Sequence, residues 1–133
     1  MSNVKEGRSW EDELVDILGQ YGFWASRFPG EDDGTQPCDV IALNHIGAHL
    51  IDAKDCKGGR FVFSRVEDNQ RSSIELFREL CGGKGWFALR YPDQCYMIPY
   101  DMIFWCEKHG HKSLGKIPDE YTLEKWIDAN RSI

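Results

Sequence analysis

The chain has 133 residues, with 16 Lys and Arg against 22 Asp and Glu, giving a net charge of −6. That length fits one domain able to bury its own core, and the acidic balance argues against general nucleic-acid affinity, which takes an excess of Lys and Arg. No apolar run is long enough to span a bilayer. Residues 1–8 lack the apolar stretch of a signal peptide, and five cysteines without a C-x-x-C pair speak against a disulfide framework or zinc ribbon, so the expectation is an intracellular protein with reduced thiols.

In chain order, Ser9 to Tyr21 reads as an amphipathic helix, because Trp10, Leu14, Ile17, Leu18 and Tyr21 recur at helical spacing. Ser9 suits the N-cap, acidic residues follow at the positive end of the dipole, and Gly22 ends the helix. Glu11 falls at the edge of the apolar stripe and reads as a first-turn carboxylate, while Asp12, Glu13 and Asp16 are expected to face water. Phe23 to Phe28 is a strand candidate rich in aromatics, followed by a polar, acidic loop from Pro29 to Gln36.

The most informative stretch runs from Pro37 to Lys54. Two apolar runs flank the short turn Asn44-His45-Ile46-Gly47, which predicts an antiparallel hairpin. Asp39 interrupts the first run; Asp52 and Lys54 interrupt the second. On a strand, residues two apart share a face, so Asp52 and Lys54 project together while Ile51 and Ala53 project the other way. The hairpin brings Asp39 toward Asp52. Two carboxylates that close repel unless something positive lies between them, and a divalent cation on hard oxygen ligands is the natural candidate. The plainer alternative is a surface ion pair near a strand end.

Lys54, Lys57, Arg60, Arg65 and Arg71 then concentrate positive charge at the end of the hairpin and beyond it. Gly58-Gly59 marks a turn whose flanks, Lys57 and Arg60, either meet phosphates or are simply solvated. Phe61 to Phe63 reads as a short strand. Ser64 and Glu67 match a capping box for a helix running to Cys81 and stopping at Gly82-Gly83, with Val66, Ile74, Phe77 and Leu80 inward. Gln70 belongs to that inward stripe, either as a satisfied core amide or as a group facing an active site. Gly85 to Tyr91 and Gln94 to Ile98 read as strands joined at Pro92-Asp93. Tyr100 to Lys108 and Pro118 to Asn130 complete the chain as helices. The expected architecture is a mixed central β-sheet flanked by helices, α/β in class.

These elements in this order resemble the PD-(D/E)xK nuclease superfamily, and within it the RecU-like Holliday junction resolvases and their small phage-type versions. The resemblance runs from Gly7 to Ile103. Gly7-Arg8-Ser9-Trp10-Glu11 is similar to the helix-one motif and Gln36-Pro37-Cys38-Asp39-Val40-Ile41-Ala42 to the first metal-binding strand. Ile51-Asp52-Ala53-Lys54 is similar to the D/E-x-K element, and Phe61 to Gln70 to the following strand and helix with their active-site Gln. Gly85 to Leu89 and Tyr96 to Pro99 are similar to the closing strands. The chain carries Asp52 where Glu is also common, and it has no room for the stalk insertion of RecU itself.

The resemblance implies a restriction-endonuclease-like fold over residues 1–133 as one domain. It implies a Mg²⁺-dependent endonuclease, with Mn²⁺ able to substitute, that resolves four-way DNA junctions as a homodimer and is bacterial or phage-encoded. Asp39, Asp52 and Glu11 become metal ligands, joined by the backbone carbonyl of Ala53. Lys54 becomes the group that orients the attacking water or steadies charge at phosphorus, and Gln70 its holder. Lys57, Arg60, Arg65 and Arg71 become DNA contacts, and aromatics such as Trp86, Tyr100, Phe104 and Trp105 are candidates for the dimer interface or the core. Another nuclease of the superfamily acting on other branched or duplex DNA, and a catalytically silent DNA-binding module, are the competing readings.

Overall fold

A computed structural model of the chain describes residues 9–28, 38–81 and 84–131. The motif residues Gly7-Arg8 and Gln36-Pro37, the acidic loop from Pro29 to Gln36 and the helix stop at Gly82-Gly83 lie outside the described residues. In chain order the elements are α1 (Trp10–Gln20), β1 (Trp24–Arg27), β2 (Val40–Leu43), β3 (Ala48–Asp55), β4 (Phe61–Val62), α2 (Asp68–Cys81), β5 (Lys84–Arg90), β6 (Cys95–Pro99), α3 (Tyr100–Lys108), β7 (Ser113–Leu114) and α4 (Leu123–Asn130).

Five strands make one mixed sheet in the order β1-β2-β3-β5-β6. The β3–β5 pair is parallel and the other three pairs are antiparallel. A parallel pair needs a crossover, and residues 56–83 supply it through α2. The turn of the β2–β3 hairpin is closed by its own Asn44, whose Oδ1 accepts from the N–H groups of Ile46 and Gly47. Val40 pairs with Ile51 and Leu43 with Ala48.

Alternation along the strands divides the core into two layers. Val40, Ala42, Ile51, Ala53, Ala88 and Met97 face α1 and α4, burying Trp10, Leu14, Leu18, Leu123, Trp126 and Ile127. Leu50, Phe87, Leu89 and Ile98 face α2 and α3, burying Ile74, Tyr100 and Ile103. Helix α1 is pinned at its start: Ser9 caps it by accepting from the Asp12 N–H at 3.2 Å, and the Trp10 indole donates to the Ala88 carbonyl at 2.9 Å. Helix α2 lies so close to β5 that a Cβ on Gly85 would overlap Ile74 Cγ2, which explains glycine there.

Three sequence expectations are corrected. Ser64 and Glu67 form no capping box: residues Phe63–Arg65 make a 3₁₀ turn, and α2 starts at Asp68. Val66 is buried but precedes the helix. The last helix is also shorter than expected, because Asp119–Tyr121 form a separate 3₁₀ turn and Thr122 caps α4, accepting from the Lys125 N–H. Phe63 leaves β4 after Val62, and β4 finds an unforeseen partner in β7, with Phe61 opposite Leu114 and Val62 opposite Ser113. Among the described residues no helix is long and apolar enough to cross a membrane.

Candidate active site

The hairpin delivers its two carboxylates to one place. Asp39 precedes β2, and its N–H donates to the Ile51 carbonyl. Its Oδ2 accepts from the Ala53 N–H at 2.9 Å. Asp52 and Lys54 project from β3 toward the α2–α3 layer, since Ile51 and Ala53 occupy the other face. Helix α2 reaches the same place with Gln70, whose Nε2 donates to Asp39 Oδ1 at 3.4 Å. Asp39, Asp52, Lys54 and Gln70 therefore converge at the C-terminal end of the central strand, from one hairpin and one crossover helix.

The electrostatics of this cluster are unusual. Asp52 is completely buried, and neither of its oxygens accepts a hydrogen bond. The Lys54 ammonium stands 3.1 Å from Oδ1, an ion pair that lies off the hydrogen-bonding directions of the carboxylate. Burial pushes the Asp52 carboxyl up to about 8; Lys54 opposes the rise and Asp39 adds to it. Gln70 is also buried, and its Oε1 has no partner. The two Asp52 oxygens, one of them ion-paired, and the Gln70 Oε1 are buried acceptors that a hard cation would complete, because buried oxygens without hydrogen bonds cost free energy. The neighbouring Cys38 thiol, buried and donating to the Val40 carbonyl, is held up at about 12 by desolvation and is not a ready thiolate ligand.

Glu11 is carried by a different element from this cluster. It is half-buried on α1, and the apolar stripe of α1 packs on the opposite layer from Asp52 and Lys54. Among the described residues no three His, Cys, Asp or Glu side chains gather closely enough to hold a metal. Asp12 and Glu13, expected in water, are ion-paired with Arg27 and Arg90 respectively.

The four expected DNA contacts have different surroundings in the structure. Lys57 is exposed at the turn after β3. Arg60 donates to Ser113 Oγ at 2.7 Å and lies against Gly115. Arg65 donates to the Asp55 carbonyl at 3.3 Å and to Cys56 Sγ at 3.7 Å. Arg71 is drawn inward, paired with Glu107 at 2.9 Å and set beside the rings of Tyr100 and Phe104. Among the aromatics, Tyr100 is core, Trp86 and Phe104 are half-buried, and Trp105 is exposed.

Arg90 is a residue the sequence did not single out. It ends β5 in register with Asp55, binds that carboxylate at 2.7 Å, reaches Glu13 of α1, and lies 5.2 Å from the Trp10 ring centre. Its pull holds the Asp55 carboxyl below the usual range. Only the parallel pairing of β3 with β5 makes this link visible. A groove of about 350 Å³ beside it is lined by Asp55, Lys57, Arg90, Tyr91 and Pro92.

Comparison with known proteins agrees with this geometry. The structure of Archaeoglobus fulgidus Hjc, a Holliday junction resolvase from an archaeal hyperthermophile, superposes with a TM-score of 0.59 at 24% identity, covering 70% of this chain and 76% of that one. At that identity the likeness establishes the fold, a mixed sheet flanked by helices. No curated protein matches the sequence. The family model for the archaeal Holliday junction resolvases matches residues 2–132. That is a branch distinct from the expected RecU-like one, and it gives no support to bacterial or phage encoding. With almost the whole sequence matched, the chain belongs to the archaeal Holliday junction resolvase (Hjc) family.

Proposed function

We propose that this nuclease hydrolyses phosphodiester bonds in four-way DNA junctions with a divalent cation, Mg²⁺ or Mn²⁺ in its place, and that it acts as a homodimer of one-domain subunits. The observation that carries the reading is Asp52: a fully buried carboxylate beside Asp39, ion-paired with Lys54 through one oxygen and with no hydrogen-bond donor aligned on either. Asp39 and Asp52 are the assigned ligands, with the Ala53 carbonyl beside them. Glu11 enters the assignment only through the family resemblance. A hard cation bound there supplies positive charge to the phosphate and a more acidic water.

The remaining work falls to the chain's own groups. Lys54 shares the face of Asp52, so its ammonium is placed to steady charge that develops on phosphorus or to orient the attacking water. Gln70 holds Asp39 with its amide nitrogen and keeps its oxygen free to accept from Lys54 or from that water. The Ala53 N–H fixes the second oxygen of Asp39, so the carboxylate is oriented by two elements at once. Two symmetric cuts across a junction need two sites, which a two-fold dimer supplies. Of the aromatics expected at such an interface, Trp105 is the exposed one.

The deciding experiment incubates a labelled four-way junction, a linear duplex and a flap with the wild type and with Lys54→Ala, in Mg²⁺ and in EDTA. Paired, Mg²⁺-dependent cuts in the junction alone are expected from the wild type, and a loss of at least about a hundredfold from the variant with junction binding kept. Lys54→Ala cutting at the wild-type rate would refute the site, EDTA-resistant cutting would refute the metal, and cutting of the flap or duplex would move the enzyme to a different DNA substrate.

A further inference from the structure

The fold sorts charge in a way the total conceals. Residues 56–66 carry Lys57, Arg60 and Arg65 and no Asp or Glu. Residues 108–117 carry Lys108, Lys112 and Lys116, with His109 and His111, and again no Asp or Glu. The two segments stand about fifty residues apart in sequence, yet they form one ribbon. Strand β4 pairs with β7, and the Phe63 N–H extends the ladder by donating to the Lys112 carbonyl at 2.9 Å.

The side chains meet as well as the backbones. Arg60 crosses from the first segment to Ser113 Oγ in the second, and its guanidinium fills the space where a side chain on Gly115 would lie. That brings Arg60 beside the exposed Lys116. At the other end, His111 and Lys112 share the walls of a cleft of about 330 Å³ with Val62, Phe63 and Ser64. The single carboxylate in that cleft, Glu107, is already bound to Arg71. The ribbon is also tied to the catalytic strand. Cys56 follows β3 directly with its N–H on the Arg90 carbonyl, and Arg65 reaches back to the Asp55 carbonyl.

A chain with net charge −6 has thus gathered five of its 16 Lys and Arg, Lys57, Arg60, Arg65, Lys112 and Lys116, in and beside one ribbon that follows the strand bearing Asp52. We propose that the β4–β7 ribbon is a phosphate-contacting surface for duplex DNA leading away from the cleavage site, and that Lys112 and Lys116, which flank its second strand, are among its contacts. This rests on the nuclease reading above. Polyanion recognition by Lys and Arg is dominated by charge, which explains why an acidic protein must concentrate its cations where the substrate lies. The flanking acids, Asp119 and Glu120 beyond Lys116 and Glu67 and Asp68 beyond Arg65, bound the ribbon and confine the contact to it.

The test measures binding of a fluorescent four-way junction in EDTA over a range of salt, for the wild type, for Lys112→Ala/Lys116→Ala, and for Lys84→Ala/Lys125→Ala. The last pair removes the same charge from exposed lysines off the ribbon. The slope of log affinity against log salt should fall by about two for each subunit bound, about four for the dimer, with the ribbon pair and stay at the wild-type value with the control pair. Affinity of the ribbon pair at moderate salt should drop about tenfold. Equal slopes for wild type and ribbon variant, while both bind the junction, would overturn the ribbon and leave the nuclease reading intact. Equal loss from the two pairs would show an effect of net charge and overturn it too. A wild type that neither binds nor cuts the junction would bring down the nuclease reading and the ribbon with it.

Discussion

Replacing Asp52 by Asn should destroy activity and stabilise the metal-free protein, and the gain should depend on pH in a calculable way. The carboxyl lies at about 8 in the fold against 3.8 in the open chain, because burial without hydrogen bonds disfavours its charge. The folded state therefore holds the proton more tightly. Below pH 3.8 the group costs the fold nothing; as pH rises through 8 the penalty grows to its full value. Between pH 5 and pH 8 the wild type should lose roughly 4 kcal/mol from this group alone, and Asp52→Asn should lose none of it. The pull of Lys54 on the carboxyl is already contained in its position at about 8, and the Asn variant has nothing to titrate there. His49, buried and held down at about 4 by desolvation, penalises acid pH in both proteins alike and cancels. For a domain of this size the variant's advantage in Tm should grow by about 10 °C from pH 5 to pH 8. Thermal melts of both proteins at the two pH values in EDTA measure it. Melts repeated in Mg²⁺ should narrow the gap, since only the wild type gains from the cation. A difference in Tm that does not change with pH would refute the reasoning, because Asp52 would then carry no buried charge to relieve.

Two further substitutions probe the scaffold. Gly85→Ala places a methyl inside Ile74 and should cost about 2 kcal/mol, a Tm drop of several degrees by circular dichroism; an unchanged Tm would show that α2 can ride further from β5. Arg90→Ala removes the link from β5 to Asp55, Glu13 and Trp10. Since these ion pairs are partly solvated, it should cost only about 1 kcal/mol in denaturant melts. Arg90→Lys should not restore it, for lack of a fork to hold two carboxylates; full recovery by Lys would reduce Arg90 to a point charge.

What could be read from the sequence was whatever local chemistry dictates. Ser9 announced α1 because a cap is a four-residue matter, and Asn44 to Gly47 announced the hairpin because the turn is closed by its own side chain. The convergence of Asp39, Asp52 and Lys54 followed from hairpin geometry and strand alternation. Ser64 misled, because the capping-box pattern describes residue types at a spacing and not the backbone, which here makes a 3₁₀ turn first. For Arg71 the sequence shows the charge but not its partner Glu107, 36 residues away. Glu13 and Arg90 were missed as a pair across 77 residues. The β4–β7 ribbon was invisible for the same cause, since two-residue strands carry no periodicity and their pairing is a long-range event.

The hairpin that holds Asp39 and Asp52 has a consequence for how such an enzyme could diversify. Its two acids and Lys54 lie within sixteen consecutive residues, so the reacting group is a self-contained cassette. The proposed contacts beyond the scissile phosphate come from elsewhere: the turn after β3, and the segment around β7 that pairs with β4. Insertions, charge swaps or a rebuilt surface in those segments leave the hairpin register untouched. A sheet wired in this way can be re-addressed to a different shape of DNA while its chemistry is inherited whole.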